Sequence, residues 1–249
     1  MFYFGIPLIS KKAAVNWEQT VDLLNATLAS IAQQSCDQFH CLIACHDIPP
    51  INKEFKKFVT FLPVDAPIPT GITEMRQDKG RKKRRLSAHF VEQGEGYLMF
   101  LDSDDLVHKD LVKYALETDN PNGYIVQIGY EYNSHTNRLM RRNNFNNICG
   151  SCGIFRLKPE DREVDKQSDA FFYNKLQSHK EFDAVCAAHN RPLQPIPFPA
   201  VVYLRTADIT ISTRFFKAKG LRLLKQQIRE QLQKKKLTPN ICEDFRLRA

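Results

Sequence analysis

The chain has 249 residues, 43% of them hydrophobic and 26% charged, which is the composition of a globular protein with one large domain. No apolar run approaches the roughly 20 residues of a membrane span, and the apolar start breaks at Ser10 without a basic leader, so it reads as a first strand rather than a signal peptide. The seven cysteines follow no framework spacing, which points to a reduced, cytoplasmic setting, and the formal net charge of +8 suits a phosphorylated ligand, a nucleic acid or an anionic membrane surface.

In chain order, "FYFGIPLIS" is the first strand. Asn16 caps a helix, with Gln19 three residues on as in a capping box, and Val21, Leu24, Leu28 and Ile31 form its apolar stripe. "FHCLIAC" is a second strand that ends at His46 and Asp47, and "FVTFLPV" is a third. Residues 75–93 read as a helix stopping at Gly94, and "YLMFL" is a fourth strand. Strands alternating with helices over the first 115 residues predict α/β layering on a mainly parallel sheet. Ligands bind such sheets at the carboxyl ends of the strands, where Asp47 and the acids after residue 101 fall.

Beyond residue 115 the pattern changes. "YIVQIGYEY" reads as a strand, with "HTNRLMRR" returning as a hairpin, and "CGSCGIFRL" is a loop entering another strand. Helical stretches follow at 169–179 and 180–189, then a proline-rich segment and a strand in "PLQPIPFPAVVYL". Residues 215–237 read as one long basic helix, with Phe216, Leu221, Leu224, Ile228 and Leu232 at helical spacing. It either packs on the domain or lies peripherally on the inner face of an anionic membrane.

Three acids, Asp102, Asp104 and Asp105, crowd the end of the fourth strand. Ionised together they call for a cation, and an all-oxygen set suits Mn²⁺ or Mg²⁺, which commonly also bind substrate phosphates. The plain alternative is that Asp104 or Asp105 caps a helix over 106–117. Upstream, six of the seven residues of "KGRKKRR" (79–85) are cations, read chiefly as a solvated helix face.

"GEGYLMFLDSDD" resembles the D-x-D segment of glycosyltransferase family 2, of GT-A fold. "DKGRKKRRL" resembles that family's N-x-G-x-x-x-A-R-N segment, aligning Asp78, Gly80 and Arg85, with one extra residue before the acids. "FGIPLIS" and "TLASIAQQSCDQFHCLIACHD" resemble its opening strand and helix, aligning Pro7, Ser30, Gln34 and Asp47; His46 and Leu86 depart from the pattern. The resemblance covers about the first 115 residues. It implies a GT-A-type α/β fold with a mainly parallel central sheet flanked by helices and a C-terminal helical extension. Residues 1–212 are then the catalytic domain, with 1–115 the nucleotide-sugar half and 116–212 the acceptor half; residues 213–249 are a basic tail.

The implied activity is a metal-dependent, inverting transfer of a sugar from a nucleoside diphosphate sugar, UDP-sugar by family habit, to a glycan or lipid-linked acceptor. Asp104 would be the main metal ligand, with Asp102 on the metal or ribose and Ser103 between them. Asp47 would contact the nucleobase or ribose, and Pro7, Asp78, Gly80 and Arg85 would line the donor pocket. "FPAVVYLRTADITIS" is similar to a late family segment in which a His completes the metal site; Asp208 stands as the local substitute. "NICGSCGIFRL" resembles the acceptor-side loop, and the candidates for the catalytic base are Asp169, Glu181 and Asp183, with His179 beside them. Cys149 and Cys152 form a C-x-x-C without a second ligand pair or a thioredoxin context, which argues against zinc or redox use. Two other readings stand beside this one: a degenerate GT-A domain that binds nucleotide without catalysis, and a basic nucleic-acid-binding protein without a recognised nucleic-acid motif.

Overall fold

The computed structural model describes residues 1–134, 136–205, 234–235 and 237–247. Four strands, β1 (Phe2–Pro7), β2 (Phe39–Cys45), β3 (Val59–Pro63) and β4 (Tyr97–Phe100), lie side by side in the order β4-β1-β2-β3, all parallel. Their burial is nearly continuous at β2 and β4, as expected of parallel strands covered on both faces. The crossovers are α1 (Trp17–Ala32) after β1 and α2 (Ile72–Gln93) before β4. Asn16 caps α1, its Oδ1 accepting the Gln19 N–H at 3.0 Å, and Val21, Leu24, Leu28 and Ile31 are all buried. α2 packs across β1, β2 and β4 and stops at Gly94.

The acid-rich turn does not lead into a helix. Asp105–Val107 is a short strand, β5, and the helix α3 begins later, at Leu111–Thr118, with Asp110 at its N-cap position. Neither Asp104 nor Asp105 caps it. The segment expected as one strand over 124–132 is two: β6 (Gly123–Ile125) joins the main sheet, and β7 (Gly129–Asn133) joins a second one. The chain crosses between sheets at Gly129, where an added Cβ would lie 2.4 Å from the Phe145 ring. β8 (Arg138–Arg142) returns antiparallel to β7, as the hairpin reading expected.

β9 (Gly153–Arg156) inserts antiparallel between β4 and β6, and β10 (Gln194–Pro195) extends the far edge. The main sheet therefore has seven strands, ordered β10-β6-β9-β4-β1-β2-β3, and takes three of them from the chain after residue 115. It is a mixed α/β architecture with a mostly parallel central sheet flanked by helices. The second sheet runs β12-β8-β7-β11-β5, with β11 at Val201–Arg205 and β12 at Lys234–Lys235.

The helix expected over 169–179 is a single 3₁₀ turn at Phe172–Lys175, and the next stretch is a 3₁₀ turn at His179–Glu181 leading into α4 (Phe182–Ala188). Of the long basic helix expected over 215–237, residues 215–233 lie outside the described residues. Lys234–Lys235 are extended and paired with β8, so that helix does not reach its expected end. A last helix, α5 (Pro239–Phe245), docks back on the domain: the Asp244 carbonyl accepts from the Lys109 amide and the Gln33 side chain. Among the described residues no helix is long and apolar enough to cross a membrane.

Candidate active site

Because β1, β2 and β4 are parallel, their carboxyl ends share one edge of the sheet, and the residues that follow them gather there. After β2, the Asp47 carboxylate accepts the Lys11 amide at 2.8 Å, which ties the loop after β1 to the loop after β2. Pro7 is the last residue of β1, in register with Ala44. After β4 the chain turns tightly, the Asp105 amide donating to the Asp102 carbonyl at 3.2 Å, with Ser103 and Asp104 at the corner.

α2 supplies the cations. Lysines at 79, 82 and 83 fall at i, i+3 and i+4, so they share the inward face with Leu86 and Phe90. Lys79 Nζ lies 2.6 Å from Asp102 Oδ1, and Lys82 Nζ lies 2.5 Å from Asp78 Oδ2 in a buried i, i+4 pair. Lys83 Nζ sits between two rings, 4.9 Å from the centroid of Phe100 and 5.2 Å from that of Phe182. Burial, reinforced by the Lys79 charge, pulls the Lys83 ammonium down to about 8. The expectation of a solvated face therefore holds only for Arg84 and Arg85, with Arg81 half-buried.

Arg85 does not join the acids; it is exposed on the side of α2 that carries His89. Asp78 and Gly80 are buried on the inner side, where Asp78 also lies 3.6 Å from His46 Nε2. Gly80 allows α2 to approach the Gln177 side chain, 3.1 Å from where its Cβ would be.

The acceptor-side loop 149–152 closes over the acid turn. Ser151 Oγ accepts the Asp102 amide at 2.9 Å and donates to Asp105 Oδ2 at 2.5 Å, and Cys149 Sγ donates to the same oxygen at 3.0 Å. Gly150 lies against the Asp102 carboxylate; a Cβ there would be 3.1 Å from Oδ2. Asp105 is thus the buried anchor of the turn, a role its sequence context did not announce. Of the C-x-x-C, only Cys149 bonds the acid turn; Cys149 and Cys152 are buried free thiols, as are three of the other five cysteines, and none of the seven is bridged.

The carboxyls titrate apart. Burial pushes Asp102 up, but Lys79, Lys83 and His179 together outweigh it and hold the carboxyl below its usual range. Burial and the neighbouring Asp102 charge raise Asp104 to about 7, and Asp105 is raised well above its usual value by burial and by the charges of Asp104 and Asp102. A raised carboxyl favours folding below its unfolded value, near 3.8, and that contribution is lost as pH rises through about 7. Without added divalent ions, Asp104→Asn should therefore gain thermal stability over the wild type progressively between about pH 4 and about pH 7 and no further above. Melting curves of both proteins across that range check this; parallel curves would contradict it.

The three base candidates differ in placement. Asp183, in the first turn of α4, is half-buried and accepts from Asn146 Nδ2 at 3.3 Å; burial raises its carboxyl. Its donor Asn146 also accepts, through its backbone carbonyl, the Cys152 thiol at 4.0 Å. Asp169 and Glu181 are exposed, with no side-chain partner among the described residues. His179 has its Nε2 buried and unpartnered, and burial and the Lys79 charge lower it.

As a metal site, the edge offers two hard carboxylates, Asp102 and Asp104, and no group of three or more His, Cys, Asp or Glu side chains suited to an ion occurs among the described residues. Asp208 lies outside them. Two carboxylates suit Mg²⁺ or Mn²⁺, which take oxygen ligands and commonly keep several waters. Two surface clefts, one around Cys36 and Lys113 and one around Gly96 and Arg156, contain none of these residues.

No family model and no curated protein matches the chain. Among solved structures it is similar to S. aureus TarS, with a TM-score of 0.46 at 12% identity, covering 82% of this chain and 36% of that one. It is likewise similar to S. aureus TarS 1-349, with a TM-score of 0.46 at 13% identity, covering 82% of this chain and 60% of that one. The likeness is a coarse one of fold.

Proposed function

We propose that the protein is a glycosyltransferase of family 2 type, moving a sugar from a nucleoside diphosphate sugar, best a UDP-sugar, to a glycan or lipid-linked acceptor with inversion. One observation carries the reading. The carboxyl edge of a parallel sheet gathers Asp47 and the Asp102–Asp104 turn, and an α2 lysine answers the turn directly. Sheet edges of this kind bind ligands where strand ends part, and the mixed charge suits a nucleotide whose sugar side meets acids and whose phosphates meet cations.

In this reading Asp102 and Asp104 hold Mn²⁺ or Mg²⁺, with Asp208 the remaining candidate ligand. When bound, the ion would stabilise charge on the departing diphosphate. Lys79 and Lys83 add fixed positive charge on the same side, which costs no reorganisation as the leaving group develops charge. Asp183 is the base we favour for the acceptor hydroxyl: its half-buried setting raises its carboxyl toward the operating range of a general base. The basic segment 79–85 supports nucleic-acid binding poorly, because Lys82 and Lys83 are buried and Lys79 is paired.

Calorimetric titration with UDP, GDP and UDP-sugars, with Mn²⁺ and with a chelator, tests the proposal. Binding of a UDP-sugar that requires Mn²⁺ and is lost in Asp104→Ala is the expected result. Nucleotide binding without turnover over a panel of acceptors would favour a binding-only domain. No nucleotide binding, alongside salt-sensitive binding of oligonucleotides, would overturn the proposal.

A further inference from the structure

Resting on that reading, we propose that Lys79 is a built-in counter-ion for Asp102, which releases the carboxylate to a divalent ion only when a nucleoside diphosphate offers the ammonium a new anion. Its ammonium stands 2.6 Å from Asp102 Oδ1. An ion bound there at about 2.0–2.2 Å would share one oxygen with a second cation, and the two would repel. The other carboxylate oxygen, Oδ2, faces Gly150, where a side chain would crowd it: a Cβ there would stand 3.1 Å away. Metal and Lys79 therefore compete for Asp102.

Lys79 has few alternatives when displaced. Lys82, one turn on, already neutralises Asp78 at 2.5 Å, and Lys83 sits behind it between Phe100 and Phe182 as a further positive charge. Asp104 is the remaining acid whose charge reaches Lys79, and it belongs to the same proposed ion site. A phosphate arriving at this edge gives the ammonium a partner and removes the competition. The exchange is feasible because the pair is not sealed: the Lys79 side chain is 39% exposed and that of Asp102 27%. Metal binding and diphosphate binding are then coupled through one lysine, and the ion alone binds weakly.

The test reads metal occupancy rather than turnover. Free Mn²⁺ is followed by its electron paramagnetic resonance signal in titrations of the full chain, with and without UDP, for wild type, Lys79→Met, Lys79→Arg and Asp104→Ala. Lys79→Met keeps the stem and removes the charge. It should bind Mn²⁺ alone about fivefold more tightly than wild type, the scale of a partly exposed ion pair, and UDP should strengthen that binding less than it does in wild type. Lys79→Arg should keep the wild-type pattern. Wild-type Mn²⁺ affinity and undiminished UDP enhancement in a folded Lys79→Met would overturn the proposal while leaving the metal reading intact. Failure of wild type to take up Mn²⁺ even with UDP would overturn the metal reading and this proposal together; Asp104→Ala supplies that baseline.

Discussion

Lys82→Ala is expected to lower the free energy of unfolding by about 3–5 kcal/mol, the range for stranding one member of a buried ion pair. The side chains of Lys82 and Asp78 are 1% and 5% exposed and meet at 2.5 Å. Asp78 Oδ1 already has no hydrogen-bond partner, with His46 Nε2 3.6 Å away. Truncating the lysine leaves the carboxylate buried with no adequate partner. Urea unfolding of the variant checks the figure, with Arg84→Ala as the exposed control, expected within about 0.5 kcal/mol of wild type. The double variant Lys82→Met/Asp78→Leu should recover most of the loss, since apolar groups of similar size can replace a buried pair at little cost. A loss below about 1 kcal/mol in Lys82→Ala would mean that the carboxylate escapes to water and that the pair is not buried in solution.

Asp102→Ala is the second large effect, on chemistry rather than folding. If the edge is a donor site, this variant should slow UDP-sugar turnover by about 10²–10³-fold, the usual scale for removing one preorganised electrostatic group. Asp102 is where two supports meet: Lys79 on its carboxylate and Ser151 on its amide. Its backbone would survive the substitution, because the Ser151–Asp105 clamp acts on main-chain and neighbouring atoms. UDP release measured without an added acceptor provides the assay, and a folded Asp102→Ala with undiminished UDP release would remove Asp102 from the chemistry.

These two lysine–aspartate pairs also show what sequence pattern missed. "KGRKKRR" looks like solvated charge because composition counts cations and ignores direction. Helical spacing was the available signal: 79, 82, 83 and 86 lie on one face, and Leu86 marks that face as inward. Arg85 matched a family position by alignment, yet it points outward, on the other side of α2. The extra residue between this segment and the acids was the hint that a one-to-one match would be rotated on the helix. Asp105 was misread for a related reason. A helix N-cap is a local device, whereas the actual partners of Asp105, Cys149 and Ser151, are more than forty residues away.

Local pattern by itself determined the four parallel strands, the α1 cap and apolar stripe, and the arrival of Asp47 and Asp102 at strand ends. Each depends on short-range periodicity or on a capping contact three residues long, so neighbouring residues carry the information. Tertiary structure alone decided the rest. The apolar run over 124–132 could not say that it would divide between two sheets, because that depends on the Phe145 ring packed against Gly129. Nor could a run of cations say what would surround those on its inward face. Lys82 is tolerated inside because Asp78, one turn back on the same helix, pairs with it, and Lys83 because two aromatic faces brought by the fold compensate for lost hydration. The acid turn itself is legible in sequence; the loop that holds it and the lysine that answers it exist only once distant segments pack together.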